Sequence, residues 1–136
     1  FGSQDALIPP EGRALIATGS PFEPVLFGGK KHVIGQCNNA FIFPGVGLGV
    51  LIARAGRVTD SMFLAAAKTL AEFTGSHDCH GALYPSLNHL RVISRAIGFK
   101  VAQTARDEGI GRSFPDDQLN AELDKFIWHP DYANMR

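Results

Sequence analysis

Two carboxamides stand side by side at Asn38 and Asn39, between the β-branched pair Val33-Ile34 and the apolar stretch from Ala40 to Ala53. Asparagine is a favoured helix N-cap, because its side-chain oxygen accepts a hydrogen bond from an orphan amide of the first turn. One cap needs one asparagine. The second is left with another task. Two carboxamides beside free amides, at the positive end of a helix, suit a small carboxylate or the carboxamide of a nicotinamide ring.

The other reactive side chains make weaker sets. "GVGLG" (Gly45 to Gly49) departs from the dinucleotide spacing G-x-G-x-x-G, since Val50 occupies the third glycine position. It also lies within an apolar helical pattern, where small residues serve close packing. "HDCH" (His77 to His80) has metal-ligand residue types, but adjacent ligands in one short loop rarely converge and no second cluster completes a site. His32, His89 and His129 have no sequence partner, and Ser20 and Ser61 lack a nucleophile elbow. None of Asp5, Asp60 or Asp78 fits a metal-ligand motif. "TGSPF" (Thr18 to Phe22) is a loop that directly follows an expected strand, and ligands of α/β sheets sit beyond the carboxyl ends of strands.

The elements that must position these residues belong to a chain of 136 residues, the length of one ordinary domain. Hydrophobic residues make up 45% and charged residues 19%, a balance that builds a real core. Thirteen basic and thirteen acidic residues cancel without forming blocks, which argues against a nucleic-acid surface or a polybasic membrane patch. The run Ala40–Ala53 is shorter than the roughly 18 residues of a membrane span and holds Pro44 and three glycines. No basic segment precedes an apolar one as in a secretory signal. Two cysteines, Cys37 and Cys79, are too few for a disulfide framework and point to a reducing, cytoplasmic setting. The chain opens at Phe1, as a fragment or a processed chain would.

"RALIATG" (Arg13 to Gly19) reads as a buried, parallel core strand, and "PVLFGGKKHVI" as a hairpin turning at Gly28-Gly29. A helix is expected over about Ile42–Ala55, where Pro44 either sits in the first turn or marks a kink, and Gly45 and Gly49 lie on one face admitting a neighbour. A second follows Thr59 or Asp60 as cap, with a stripe of Phe63, Ala66, Ala67, Leu70 and Phe73, and ends at Gly75. A third carries Leu90, Ile93, Ile97 and Val101 inward and Arg91 and Arg95 outward. The last, about Asp116–Ile127, presents Leu119, Leu123, Phe126 and Ile127 and stops near Pro130. One core strand, a hairpin and four helices make an α/β chain whose lone strand needs sheet neighbours.

"EGRALIATGSPFEPV", "GQCNNAFIFPGVGLGV", "DSMFLAAAKTLAEF" and "LYPSL" together resemble the C-terminal third of malic enzymes, from about residue 5 to the terminal "W-x-P-x-Y". This family oxidatively decarboxylates malate to pyruvate with a nicotinamide cofactor and a divalent metal. The resemblance implies an α/β fold, the C-terminal part of a Rossmann-type NAD(P)-binding domain. Residues 1–58 would end that region, and residues 59–136 would form a C-terminal helical region that contributes to subunit packing in a homo-oligomer.

It implies also that Asn38 and Asn39 contact the malate carboxylate and lie near the nicotinamide of NAD or NADP, with Ser20 in the cofactor-binding loop. One asparagine can cap while its neighbour faces the pocket. By the same resemblance the catalytic tyrosine and lysine, the carboxylates that hold Mg2+ or Mn2+, and the dinucleotide-binding glycine turn lie upstream of this chain. The family usually has Gly or Ser where this chain has Cys37, a departure that is small in size. A rival reading is a helical interaction module with no active-site ancestry. It accounts for the helices, but not for strand, hairpin and paired asparagines arriving in the family's order.

Overall fold

A computed structural model of the chain describes residues 15–76 and 82–127. Gly28 and Gly29 take φ values of 58° and 74°, the two left-handed positions that a tight hairpin turn demands. They join β2 (Val25–Phe27) to β3 (Lys30–His32) in the expected antiparallel hairpin, with Phe27 opposite Lys30. Val25 is buried against Ile34, with Ile16 and Phe27 packed beside them.

β1 (Ala17–Thr18) is shorter than the expected Arg13–Gly19 strand, and it is not alone. It pairs in parallel with β4 (Gly35–Gln36), Ala17 opposite Gly35 and Thr18 opposite Gln36. The Gly35 amide donates to the Ile16 carbonyl at 3.0 Å and the Cys37 amide to the Thr18 carbonyl at 2.8 Å. The expectation of a single, fully buried strand is thus corrected, since Leu15 is also 65% exposed. β4 has no apolar alternation to reveal it. Its glycine answers to packing instead: a Cβ at Gly35 would lie 3.2 Å from the Tyr84 amide nitrogen.

Beyond β4 a short 3-10 turn, Asn39–Phe41, leads into α1 (Phe43–Ala53), with Pro44 in its first turn rather than at a kink. α2 (Asp60–Ser76), α3 (Leu90–Asp107) and α4 (Asp116–Phe126) follow. α3 is the centre of the bundle and packs against the other three helices. Ile93, Ile97 and Val101 are fully buried on it, together with Phe41, Met62, Leu119 and Leu123 from its neighbours.

Gly45 and Gly49 do admit that neighbour. A Cβ at Gly45 would meet Ile97 at 2.6 Å, and one at Gly49 would meet the Gly98 carbonyl oxygen at 2.6 Å. α1 ends at Arg54, whose φ of 48° lets its amide reach back to the Leu51 and Val50 carbonyls.

Thr59 is the cap of α2: its Oγ1 accepts from the Met62 amide at 3.4 Å and donates to Glu108 Oε2 at 2.8 Å. The expected stripe is shifted. Met62, Ala66 and Leu70 are buried, while Phe63 lies 41% exposed with its ring edge-on to Phe43. Met62, one residue earlier, takes the inward position instead and is fully buried in the core. Arg95 is also less external than its spacing suggests. Its Nε donates to Asp124 Oδ1 at 2.8 Å and ties α3 to α4. Leu119 and Leu123 are buried as expected, but Phe126 is exposed, because α4 ends there and turns at Ile127. Among the described residues no helix is long and apolar enough to cross a membrane.

Candidate functional site

Asn38 sits at the carboxyl end of β4 with an extended backbone, φ −124° and ψ 134°. Its Oδ1 accepts from the Ala40 amide at 2.9 Å, the cap expected of one asparagine. That bond uses the oxygen, so the Asn38 amide group is left with its N–H donors to present. The Phe41 and Ile42 amides close the turn on the Asn38 and Asn39 carbonyls at 3.1 and 3.0 Å. The Asn39 carboxamide is exposed, with no hydrogen-bond partner among the described residues.

Both asparagines line a cleft of about 660 Å3. α2 lines it through Ala67, Ala71 and Thr74, and the segment Ala82–Tyr84 contributes as well. The lining is mostly apolar, with a few polar groups from Cys37, Asn38, Asn39, Thr74 and Tyr84. That is the construction and size of a small-molecule site. The Tyr84 ring stacks on Phe41 at 6.0 Å and 19°. Its contact with Cys37, reinforced by burial, holds the phenol above its ordinary value, so it is protonated at neutral pH.

Ser20 is elsewhere. It is exposed in the loop after β1, where the Thr18 hydroxyl donates to its carbonyl at 2.8 Å, and it does not line the cleft. Gln36 ties the same loop to β4 by donating to the Gly19 carbonyl at 3.2 Å. Sequence reasoning assigned no role to Tyr84, to Cys37 beyond its size, or to the α2 wall. The signal for Tyr84 was the block "LYPSL", which spacing alone does not connect to residues 37–41. The "HDCH" segment and Pro130 lie outside the described residues. Among the described residues no three His, Cys, Asp or Glu side chains gather where a metal ion would be held.

A parallel strand pair, an amide-bearing turn at its carboxyl end and helices beyond it are features that a fragment of a Rossmann-type α/β nucleotide-binding domain would present. Comparison with known proteins carries this further, for residues 2–106 match the family described as "Malic enzyme, NAD binding domain". The chain belongs to that family. It is 45% identical over 127 residues to the NAD-dependent malic enzyme of Edwardsiella ictaluri (strain 93-146), covering 93% of this chain and 22% of that protein. It is 41% identical over 134 residues to the NAD-dependent malic enzyme of Enterobacter sp. (strain 638), covering 98% and 24%.

A crystal structure of Entamoeba histolytica malic enzyme superposes with a TM-score of 0.62 at 28% identity, over 85% of this chain and 23% of that one. The chain therefore spans about a quarter of the length of these relatives. Membership removes the reading of a helical module without active-site ancestry.

Proposed function

We propose that this chain supplies one wall of a malic enzyme active site, in which L-malate is oxidatively decarboxylated to pyruvate and CO2. The observation that carries the proposal is the division of labour within the asparagine pair. Asn38 is committed to the turn by its cap, and Asn39 beside it holds an uncommitted carboxamide at the cleft surface. The capped Asn38 keeps its N–H donors for a ligand, and Asn39 offers both a donor and an acceptor. Together they suit a carboxylate of malate and the carboxamide of a nicotinamide. A bound nicotinamide would supply the hydride acceptor. A ligand that covers the apolar lining from α2 would strengthen these charge-assisted bonds by displacing water. The relatives' names support NAD over NADP as the cofactor. No step is assigned to a metal held by the described residues, whose side chains do not fit one. Residues 1–58 would complete the nucleotide-binding region and residues 59–136 the C-terminal helices. Ser20 would serve the cofactor only from the loop above β1.

Asn39→Ala, made in the intact enzyme of which this chain is proposed to be a part, tests the reading. A hydrogen bond to a charged group is worth about 1.5–3 kcal/mol, so kcat/KM for malate is expected to fall about ten- to a hundredfold. Wild-type kinetics with unchanged stability would rule the ligand role out.

A further inference from the structure

Tyr84 touches both flanks of the asparagine pair. On one side it lines the cleft together with Cys37, the residue before Asn38. On the other its ring stacks at 6.0 Å on Phe41, two residues past Asn39 and fully buried in the core. Its own backbone is pinned as well, because its amide nitrogen and that of Leu83 lie so close to Gly35 that a Cβ there would stand 3.2 and 3.4 Å away. Tyr84 therefore joins β4, the turn and the core at the point where the cleft begins.

Just ahead of the asparagine turn the Cys37 amide ties the chain to β1, donating to the Thr18 carbonyl at 2.8 Å. The turn's own cap and its two bonds are local, from Asn38 and Asn39 to residues no more than three positions on. Local bonds fix the shape of the turn but not its placement against α2. That placement falls to the side chains packed on it, among them the Tyr84 ring stacked on the buried Phe41.

We infer that Tyr84 is the positioning residue of the asparagine pair, its ring stacked on Phe41 holding the turn so that both carboxamides stay on the cleft wall when a ligand is bound. The inference rests on the proposed malate site, and it adds a residue that acts through Asn38 and Asn39 rather than on the substrate.

The test is made in the intact enzyme with Tyr84→Phe, Tyr84→Leu and Tyr84→Ala, beside Asn39→Ala. Displacing a binding group by about an ångström costs on the order of a hundredfold in rate terms, so the Leu and Ala variants should raise KM for malate about tenfold or more. Tyr84→Phe keeps the stack and should stay within about threefold of wild type. Leu fills most of the ring's volume, so it keeps a folded protein in the comparison.

A merely structural role would lower the melting temperature and the yield of active enzyme, but leave KM unchanged in what remains. Unchanged KM in the Leu and Ala variants, with Asn39→Ala impaired, overturns the inference alone. Phe as damaging as Leu overturns the stacking argument. Wild-type behaviour of Asn39→Ala overturns the malate reading beneath it.

Discussion

At Asn38 one side chain has two jobs, and its two ends divide them. The oxygen is bound to the Ala40 amide at 2.9 Å, and the nitrogen donates no hydrogen bond among the described residues. Substitutions can separate the jobs. Asn38→Ala removes the cap and should cost about 1 kcal/mol of stability. Asn38→Asp keeps an oxygen for the cap, and a negative charge at this position is favoured by the first-turn amides. It also sets that charge where a malate carboxylate is proposed to bind and removes the donor. We expect the Asp variant to melt like the wild type while its kcat/KM for malate falls at least as far as that of Asn39→Ala. Equal losses of stability in the two Asn38 variants would show that the oxygen does not act as a cap. The sequence made one asparagine a cap and the other a ligand-facing group, but not which was which. That followed from the extended φ of Asn38, which places its oxygen over the turn.

Among the elements, α1 and α3 meet through glycine. Gly49 has no room for a methyl group, with the Gly98 carbonyl 2.6 Å and Val101 2.7 Å from the position of a Cβ. Gly47, two residues earlier on the same helix, has nothing within 4 Å. Overpacking should make Gly49→Ala cost about 1–3 kcal/mol. Gly47→Ala should stabilise by up to about 1 kcal/mol, because alanine is the better helix former. Denaturant titration of the two variants reads the signs directly, and a loss at Gly47 would contradict its open surroundings.

The α3–α4 contact is electrostatic at its edge. Arg95 holds the Asp124 carboxyl below its ordinary range, and Gln103 and then Arg106 do the same for Asp116. A carboxylate with a lowered folded value contributes stability above its unfolded value, and that contribution is lost as the pH falls through the folded value. The window therefore lies below about pH 4. Asp124→Asn should narrow the difference in melting temperature between pH 7 and pH 3, and the effect should shrink in high salt. A difference as wide as in the wild type would remove Asp124 from the acid response.

The whole molecule leaves apolar surface uncovered. α1 carries no charge along its length, yet Phe43 and Leu51 are 55% and 60% exposed, with Gly47 between them on the same face. A helix apolar all round belongs in an interior. β1 and β4 pair only with each other among the described residues, so each has an outer edge free to pair. Produced by itself, the 136-residue chain is expected to form a dimer or a larger assembly and to show no malate oxidation. Light scattering coupled to size exclusion checks the first point. Leu51→Glu should shift the population towards monomer, and a wild-type monomer at micromolar concentration would mean that this face is covered from within the chain.

Four helices, the Gly28-Gly29 hairpin, the Pro44 start and the family's ordered blocks were all legible in the sequence. Each rests on local chemistry: apolar spacing, a proline confined to a first turn, and glycines at positive φ. The inward face of α2 was not legible, because Met62 and Phe63 are both apolar and only the fit against α3 chose Met62. β4 was hidden for a similar reason, since a Gly-Gln strand has no pattern and exists because β1 lies beside it. The candidate site was half legible. Two adjacent asparagines mark a turn and offer a ligand contact in sequence alone. The α2 residues and Tyr84 that line the cleft with them come from about thirty to forty-five positions away. Contacts at that separation leave no periodic trace, and only the packing of the folded chain decides them.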